Sequence, residues 1–430
     1  MKTLKHKSLR LVLMILVIIM SLYCFVNAED YYVSTSTTTV DGDTFCGGGA
    51  CTSSDTIIIK GGARGSLKFQ DFDGAGSYIT ITNENTNPDS KVEITGDAAG
   101  NGWGVLSLSY CKYVDLRGNN DNDITYGIKV INAVPTKSGA VWVYGESDHI
   151  KLGYLEVTCE GSQSPTIGIQ INDASLSNDW TFNTFEIHYN YIHDTRYSAM
   201  YLGPNDPLIN DNPYVAGFSI HDNIMEDLGS YGITYKGING PNNYIYNNIV
   251  KTTGVIPGST PDDCGKQGIG VQFTYGGNSV EIYDNWIENT YGCGLKIGGT
   301  NHLVHDNILV GCGTHDDPVW GSGIVTHTAS NVELYDNIII QAKRYGIYGA
   351  YSVTSVYHKR NLIGDCGFGE AGGNNLTEGI GADSNIYYDD VADFGFVAWS
   401  DDGNYSNDDF SFPPTGTIAG TVTDTLNNPI

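Results

Sequence analysis

The chain has 430 residues, with 22 Lys plus Arg against 49 Asp plus Glu, and a formal net charge of -27. So acidic a chain lacks the basic footprint of a nucleic-acid binder, and an apolar fraction of 40% excludes a disordered acidic chain. Its 54 glycines and 29 tyrosines, with few charges, make a poor helix composition and a good one for short strands and turns.

The first segment in chain order reads as an address. Lys2, Lys5, Lys7 and Arg10 form a positive start, residues 11–26 are almost wholly apolar, and Val26-Asn27-Ala28 offers a cleavage site. The pattern predicts a secretory signal peptide over residues 1–28; the apolar run is short for a membrane span. Its removal takes away four positive charges and no negative ones, which moves the net charge from -27 to -31. The protein is therefore expected to be secreted or at the cell surface, extracellular, with no membrane span after cleavage and no nucleic-acid partner. Eight cysteines remain in this oxidising setting. Cys46 and Cys51 flank Gly47-Gly48-Gly49-Ala50 and are predicted to close a small disulfide loop. The other pairings stay open, and the lack of a Cys-x-x-Cys pair argues against a zinc–thiolate site.

Residues 29–55 read as an N-terminal cap, and residues 55–140 as early coils of irregular length. From about residue 185 one phrase recurs: HYNYI, HDNIM, YNNIV, YDNWI, HDNIL, YDNII and KRNLI. Its aligned asparagines are Asn190, Asn223, Asn248, Asn285, Asn307, Asn337 and Asn361. A second phrase follows each of the first six: AMYLG, GITYKG, GIGVQF, GLKIG, GIVTH and GIYGA. Short β-branched strands at this period predict stacked coils of a parallel β-helix, because one coil cannot bury its own apolar face. The asparagines are expected at a sharp corner. There the side chain tolerates a left-handed backbone, and its amides can hydrogen-bond along the axis.

These residues resemble the right-handed parallel β-helix superfamily, which contains pectate lyases, alginate lyases, polygalacturonases and phage tailspikes. The resemblance implies an all-β fold, a right-handed single-stranded parallel β-helix over residues 29–370, clearest over 140–370. Residues 371–415 read as a cap and linker. Residues 416–430, GTIAGTVTDTLNNPI, resemble the first strand and turn of β-sandwich domains related to the carboxypeptidase regulatory domain. A further C-terminal domain is the expectation there.

Chemistry is expected where insertions interrupt the repeat, around residues 204–216, 255–266 and 313–321. The last two occupy one corner, two coils apart, so their bases lie ~10 Å apart and flank a notch. They carry Asp262-Asp263 and Asp316-Asp317, with His315 beside the second pair. Between them runs Gly294-Leu295-Lys296-Ile297. Alternation turns Leu295 and Ile297 inward and Lys296 out to solvent. The same register in other coils exposes Thr234, Lys236, Gln272, His327 and Tyr348. Arg196 and Arg344 occupy the matching corner, and Trp320 ends one loop. This layout is similar to the calcium-dependent β-helix lyases, some of which use a lysine base. It implies Lys296 as base, with Arg344 and His315 as further catalytic candidates. Arg196, Gln272, Trp320, His327 and Tyr348 would bind an extracellular polysaccharide, and Asp262, Asp263, Asp316 and Asp317 would hold calcium. An inverting glycoside hydrolase is the alternative, with two carboxyl groups activating water and protonating the leaving oxygen. A non-enzymatic adhesin or stalk is the third reading. Asp262-Asp263-Cys264 and Gly292-Cys293-Gly294 echo the polygalacturonases, but the histidine of their Gly-His-Gly turn is absent. His188, His193, His221, His302, His305 and His358 recur with the repeat and are expected as surface or stacking residues. Net charge this negative repels a polyanionic glycan unless cations bridge the two.

Overall fold

A computed structural model describes residues 29–388, save 85–90, 97–103, 119–125, 135–138, 160–165, 173–181, 204–214, 239, 255–267, 274–277, 315–319, 368, 374–375 and 379–383. The segments expected as signal peptide and as the start of a β-sandwich lie outside the described residues. Described elements are strands alone, and every strand-to-strand pairing among them is parallel. Each coil contributes one strand to each of three faces. In one coil these are Val215–His221 on the first face, Ile224–Leu228 on the second and Tyr231–Tyr235 on the third. The second face is a 12-stranded sheet. The first and third join into one sheet because Leu295–His305 and Ile324–Tyr335 run unbroken around their shared corner. Pairing starts at Asp30–Val33 within the expected cap, and it continues past residue 370 to Ile386–Tyr388.

Period-two alternation builds the interior. Asn243–Tyr246 and Val280–Tyr283 bury every second side chain, and the inward residues stack into one apolar column from Val33 to Ile363. The Gly-Ile phrase has a steric cause. A Cβ on Gly294 would lie 2.6 Å from Leu309 Cδ2, and one on Gly270 would lie 2.5 Å from Ile287 Cγ2. Glycine here lets the third face close onto the second.

The asparagines form a continuous internal amide ladder. Asn190 Nδ2 donates to Asn223 Oδ1 at 2.9 Å, and the pattern repeats through Asn248, Asn285, Asn307, Asn337 and Asn361 to Asn385. All but Asn385 are fully buried or nearly so. The expected left-handed backbone belongs to their neighbours. Asp222 (φ 55°), Asn247 (φ 52°), Asp284 (φ 53°) and Asp306 (φ 54°) make the sharp corner, and the following Asn closes it with its side chain. Cys46 and Cys51 are disulfide-bonded, as expected.

On the outside of the first face, His188, His221, Tyr246, Tyr283, His305 and Tyr335 stack ring on ring, with centroids 4.7–5.4 Å apart. His302 and His358 do not sit at the surface as expected; both are buried, His302 accepting from the Val280 amide and His358 facing Asn385. In the stack, His221 presents Nδ1 to Asp222 at 2.7 Å and Nε2 to Glu186 at 3.4 Å. Burial disfavours its cation, but the bonds to the two carboxylates outweigh burial and raise its pKa to about 9. A raised pKa in the folded state adds stability that is fully present below the unfolded value of ~6.5 and is lost as pH climbs through about 9. His221→Gln is therefore expected to lower the melting temperature at pH 6 and to match wild type near pH 10. Parallel melting curves at both pH values check this, and an equal deficit at both would contradict it.

Candidate active site on the third face

The third face differs from the first in what covers it. Tyr231–Tyr235 and Ser198–Leu202 are buried along both sides of the strand, not on alternate residues. Outside the main column a second apolar cluster joins Tyr231, Ile269, Cys293, Val325 and Ala350, with Tyr197, Trp320 and Tyr348 packed against it. Lys296 rises from the middle of this face. As alternation requires, Leu295 and Ile297 beside it are fully buried in the core. Its side chain points away from the core, yet it does not project into solvent: only 8% of the residue is exposed. The correction has a physical reason, because Trp320 lies over it, with Nζ 4.8 Å from the ring centroid.

Two effects compete for the Lys296 proton. The Trp320 face favours the ammonium by roughly 0.5–2 kcal/mol, while withdrawal of an ammonium from water costs several kcal/mol. Burial is the larger effect, and the Lys296 pKa falls below the ordinary lysine value. The same crowding lowers His327, first through burial and then through the nearby Lys296 charge. Cys293, fully buried beside them, is pushed up to about 12 by burial and is an inert thiol. Lys296 is thus a crowded amine whose hold on its proton is weakened by burial, with a polar row beside it.

That row is set by strand register. Lys296 pairs with Gln272, Gln272 with Thr234, and Thr234 with Tyr201. On the other side Lys296 pairs with Val325, and Val325 with Tyr348. A family model described as a right handed beta helix region matches residues 167–363. The chain is a right-handed parallel β-helix. Among solved structures, this β-helix is similar to a GH136 lacto-N-biosidase from Eubacterium ramulus, at 12% identity and TM-score 0.54, covering 86% of this chain and 69% of that one. It is also similar to an alginate lyase from a Paenibacillus species (12% identity, 82% and 98% covered, TM-score 0.39). A pectate lyase is a third likeness (14% identity, 83% and 80% covered, TM-score 0.38). At these identities the likeness is one of fold. No curated protein matches the chain.

Within the β-helix, the residues expected to form the site fall into three groups. Lys296, Gln272, Trp320 and Tyr348 gather on the third face, as their registers and packing show. His327 lies close enough for the Lys296 charge to lower its pKa, but it is not in the Lys296 row. Val325 takes the place opposite Lys296 in regular register, and His327, two residues further on, pairs with Ala350. The arginines are spread out. Arg344 precedes the strand two coils beyond Lys296 and Arg196 the strand three coils before it, which is ~10 and ~14 Å along the axis. His315, Asp262, Asp263, Asp316 and Asp317 lie outside the described residues. Tyr351, 67% exposed with its ring 4.5 Å from His327, was not picked out by sequence reasoning. Its one sequence signal is a tyrosine just past the end of GIYGA.

Proposed function

We propose that the protein is an extracellular carbohydrate-active enzyme, a polysaccharide lyase that cuts a uronate-containing glycan by β-elimination with Lys296 as the base. The observation that carries the proposal is the setting of Lys296: an outward amine, 8% exposed under Trp320, with its pKa lowered by burial. A base must be unprotonated when substrate arrives, and a depressed pKa enlarges the share of that form. In the reaction Nζ takes the proton from the sugar carbon that bears the carboxylate. The freed electron pair forms a carbon–carbon double bond, and the glycosidic oxygen on the next carbon leaves and takes a proton from water. Trp320 offers the flat apolar face that a pyranose ring packs on. Gln272 supplies a polar group in the coil before Lys296, and His327 and Tyr348 supply others in the two coils after it.

Calcium, which Asp262, Asp263, Asp316 and Asp317 would hold, would neutralise the substrate carboxylate next to the carbon that Lys296 deprotonates. The test is a panel of acidic and neutral glycans incubated with the chain, with calcium and then with chelator. Ultraviolet absorbance of an unsaturated uronate end is the expected readout, falling in chelator if the aspartates hold the metal. New reducing ends without that absorbance would replace the lyase with a hydrolase. Silence across the panel would favour the non-enzymatic stalk.

A further inference from the structure

Upstream of Lys296 the outer row of the third face continues with one residue per coil: Gln272, Thr234, Tyr201 and Gln170. None carries a charge. Among the described residues, Thr234 Oγ1 and Gln170 Oε1 are buried without a hydrogen-bond partner, while Gln170 Nε2 donates to Asn172 Oδ1 at 2.9 Å. Buried polar atoms left unpaired are costly, and such atoms point to a missing partner. Here two of them face the same way, two coils apart, in line with the candidate base. Coils repeat every ~4.8 Å, close to the length of one pyranose unit. Among the described residues, the next cation upstream in this region is Lys236, whose Nζ lies 5.1 Å from the Tyr201 ring centroid. It follows the strand Tyr231–Tyr235 and so sits two coils before Lys296, ~10 Å along the axis.

We infer that this row binds a glycan laid along the helix axis in which uronates are separated by neutral units. One uronate lies at Lys296, an uncharged unit over Gln272, and the next uronate at Lys236. The inference rests on the reading of Lys296 as the reacting residue and adds the substrate class. Among the described residues of this row, a carboxylate over Gln272 or Thr234 would lose water and meet neutral dipoles. Long-range repulsion acts in the same direction, since a chain of net charge -27 resists a polymer with a carboxylate on every unit. Hydroxyl groups of neutral units, by contrast, supply the donors that Thr234 Oγ1 and Gln170 Oε1 lack.

Calorimetric binding to the purified chain tests the inference. The probes are hexasaccharides of hyaluronan and heparosan, in which glucuronate alternates with an uncharged amino sugar, and of polygalacturonate and polymannuronate. The alternating probes are expected to bind at least about tenfold more tightly. Thr234→Val is expected to weaken them about three- to tenfold, the loss of one hydrogen bond, with an unchanged or higher melting temperature. Gln272→Lys is expected to raise affinity for the homopolymers. Equal or tighter binding of the homopolymers, no binding of any probe, or an unaltered affinity in Thr234→Val would overturn the inference. Tight binding of an alternating glycan that is never cut would refute the lyase reading and leave this one standing. Lys296-dependent cleavage that prefers a homopolymer would refute this one alone.

Discussion

Lys296→Met is expected to abolish turnover while leaving the β-helix folded, with a melting temperature equal to or above that of wild type. Both halves follow from the same surroundings. A general base contributes roughly 10²–10⁴-fold to the rate, and methionine cannot accept a proton. The side chain it replaces is buried against Trp320 and close to Cys293 and Val325. Methionine fills that space without a charge to desolvate. The sign with pH is also fixed. Because burial lowers the Lys296 pKa in the folded state, the charged residue penalises folding fully below that lowered value. The penalty fades as pH rises toward the unfolded lysine value of ~10.4. The stability advantage of Lys296→Met should therefore be greatest at neutral and acid pH and vanish in alkali. Steady-state rates and melting curves across pH check both halves. Retained activity in a folded Lys296→Met chain would remove this residue from the chemistry.

The second large effect is expected in the amide ladder. Asn285→Leu should destabilise the β-helix by about 4 kcal/mol, the upper range for a single substitution. Asn285 Nδ2 donates to Asn307 Oδ1, Ile245 O and Tyr283 O, each at 2.9 Å, and its Oδ1 accepts from Asn248 Nδ2 at 3.0 Å and Asn248 N at 3.1 Å. Leucine keeps the volume and leaves these buried partners unsatisfied in the middle of the ladder. Since a solenoid is held by contacts between neighbouring coils, the break weakens the stack on both sides. Asp284→Asn, at the left-handed corner residue just before, keeps a side chain that tolerates this backbone and should cost less than about 1 kcal/mol. Denaturant titrations of the two variants decide the matter. Equal, small losses would mean that the ladder follows from the fold and does not hold it together.

The fold was legible because stacking forces each coil to repeat its chemistry. Asn223, Asn248 and Asn285 must face one another to pair their amides, and Gly270 and Gly294 must lack a side chain to let two faces meet. The sequence pattern misplaced the strained corner by one residue. The neighbouring position is mostly Asp or Asn, as at Asp222, Asn247, Asp284, Asp306 and Asp336, types that tolerate a left-handed backbone, but Tyr189 and Arg360 adopt it there too. The candidate site was legible only in part. Alternation turned Lys296 away from the core, but period-two patterning carries no information on what lies outside a strand, so the cover by Trp320 was invisible. His327 shares the outward parity of Lys296 but stands two residues further along its strand, and the place opposite Lys296 belongs to Val325, in the regular pairing before the shift between Ile297 and Gly299. Gln170 and Tyr201 were passed over because their importance lies in register with residues several coils away.

The most direct measurement is the pH dependence of kcat/KM, followed by the absorbance of the unsaturated uronate product. This quantity reports the proton affinity of the free enzyme's base. The account predicts a rate that rises with pH through a single limb, with its midpoint below the ordinary lysine value of ~10.4, because buried Lys296 must lose its proton before it can take one from the sugar. A profile that is flat, or that rises through the carboxylate range near pH ~4, would contradict it and move the base from Lys296 to an acidic residue.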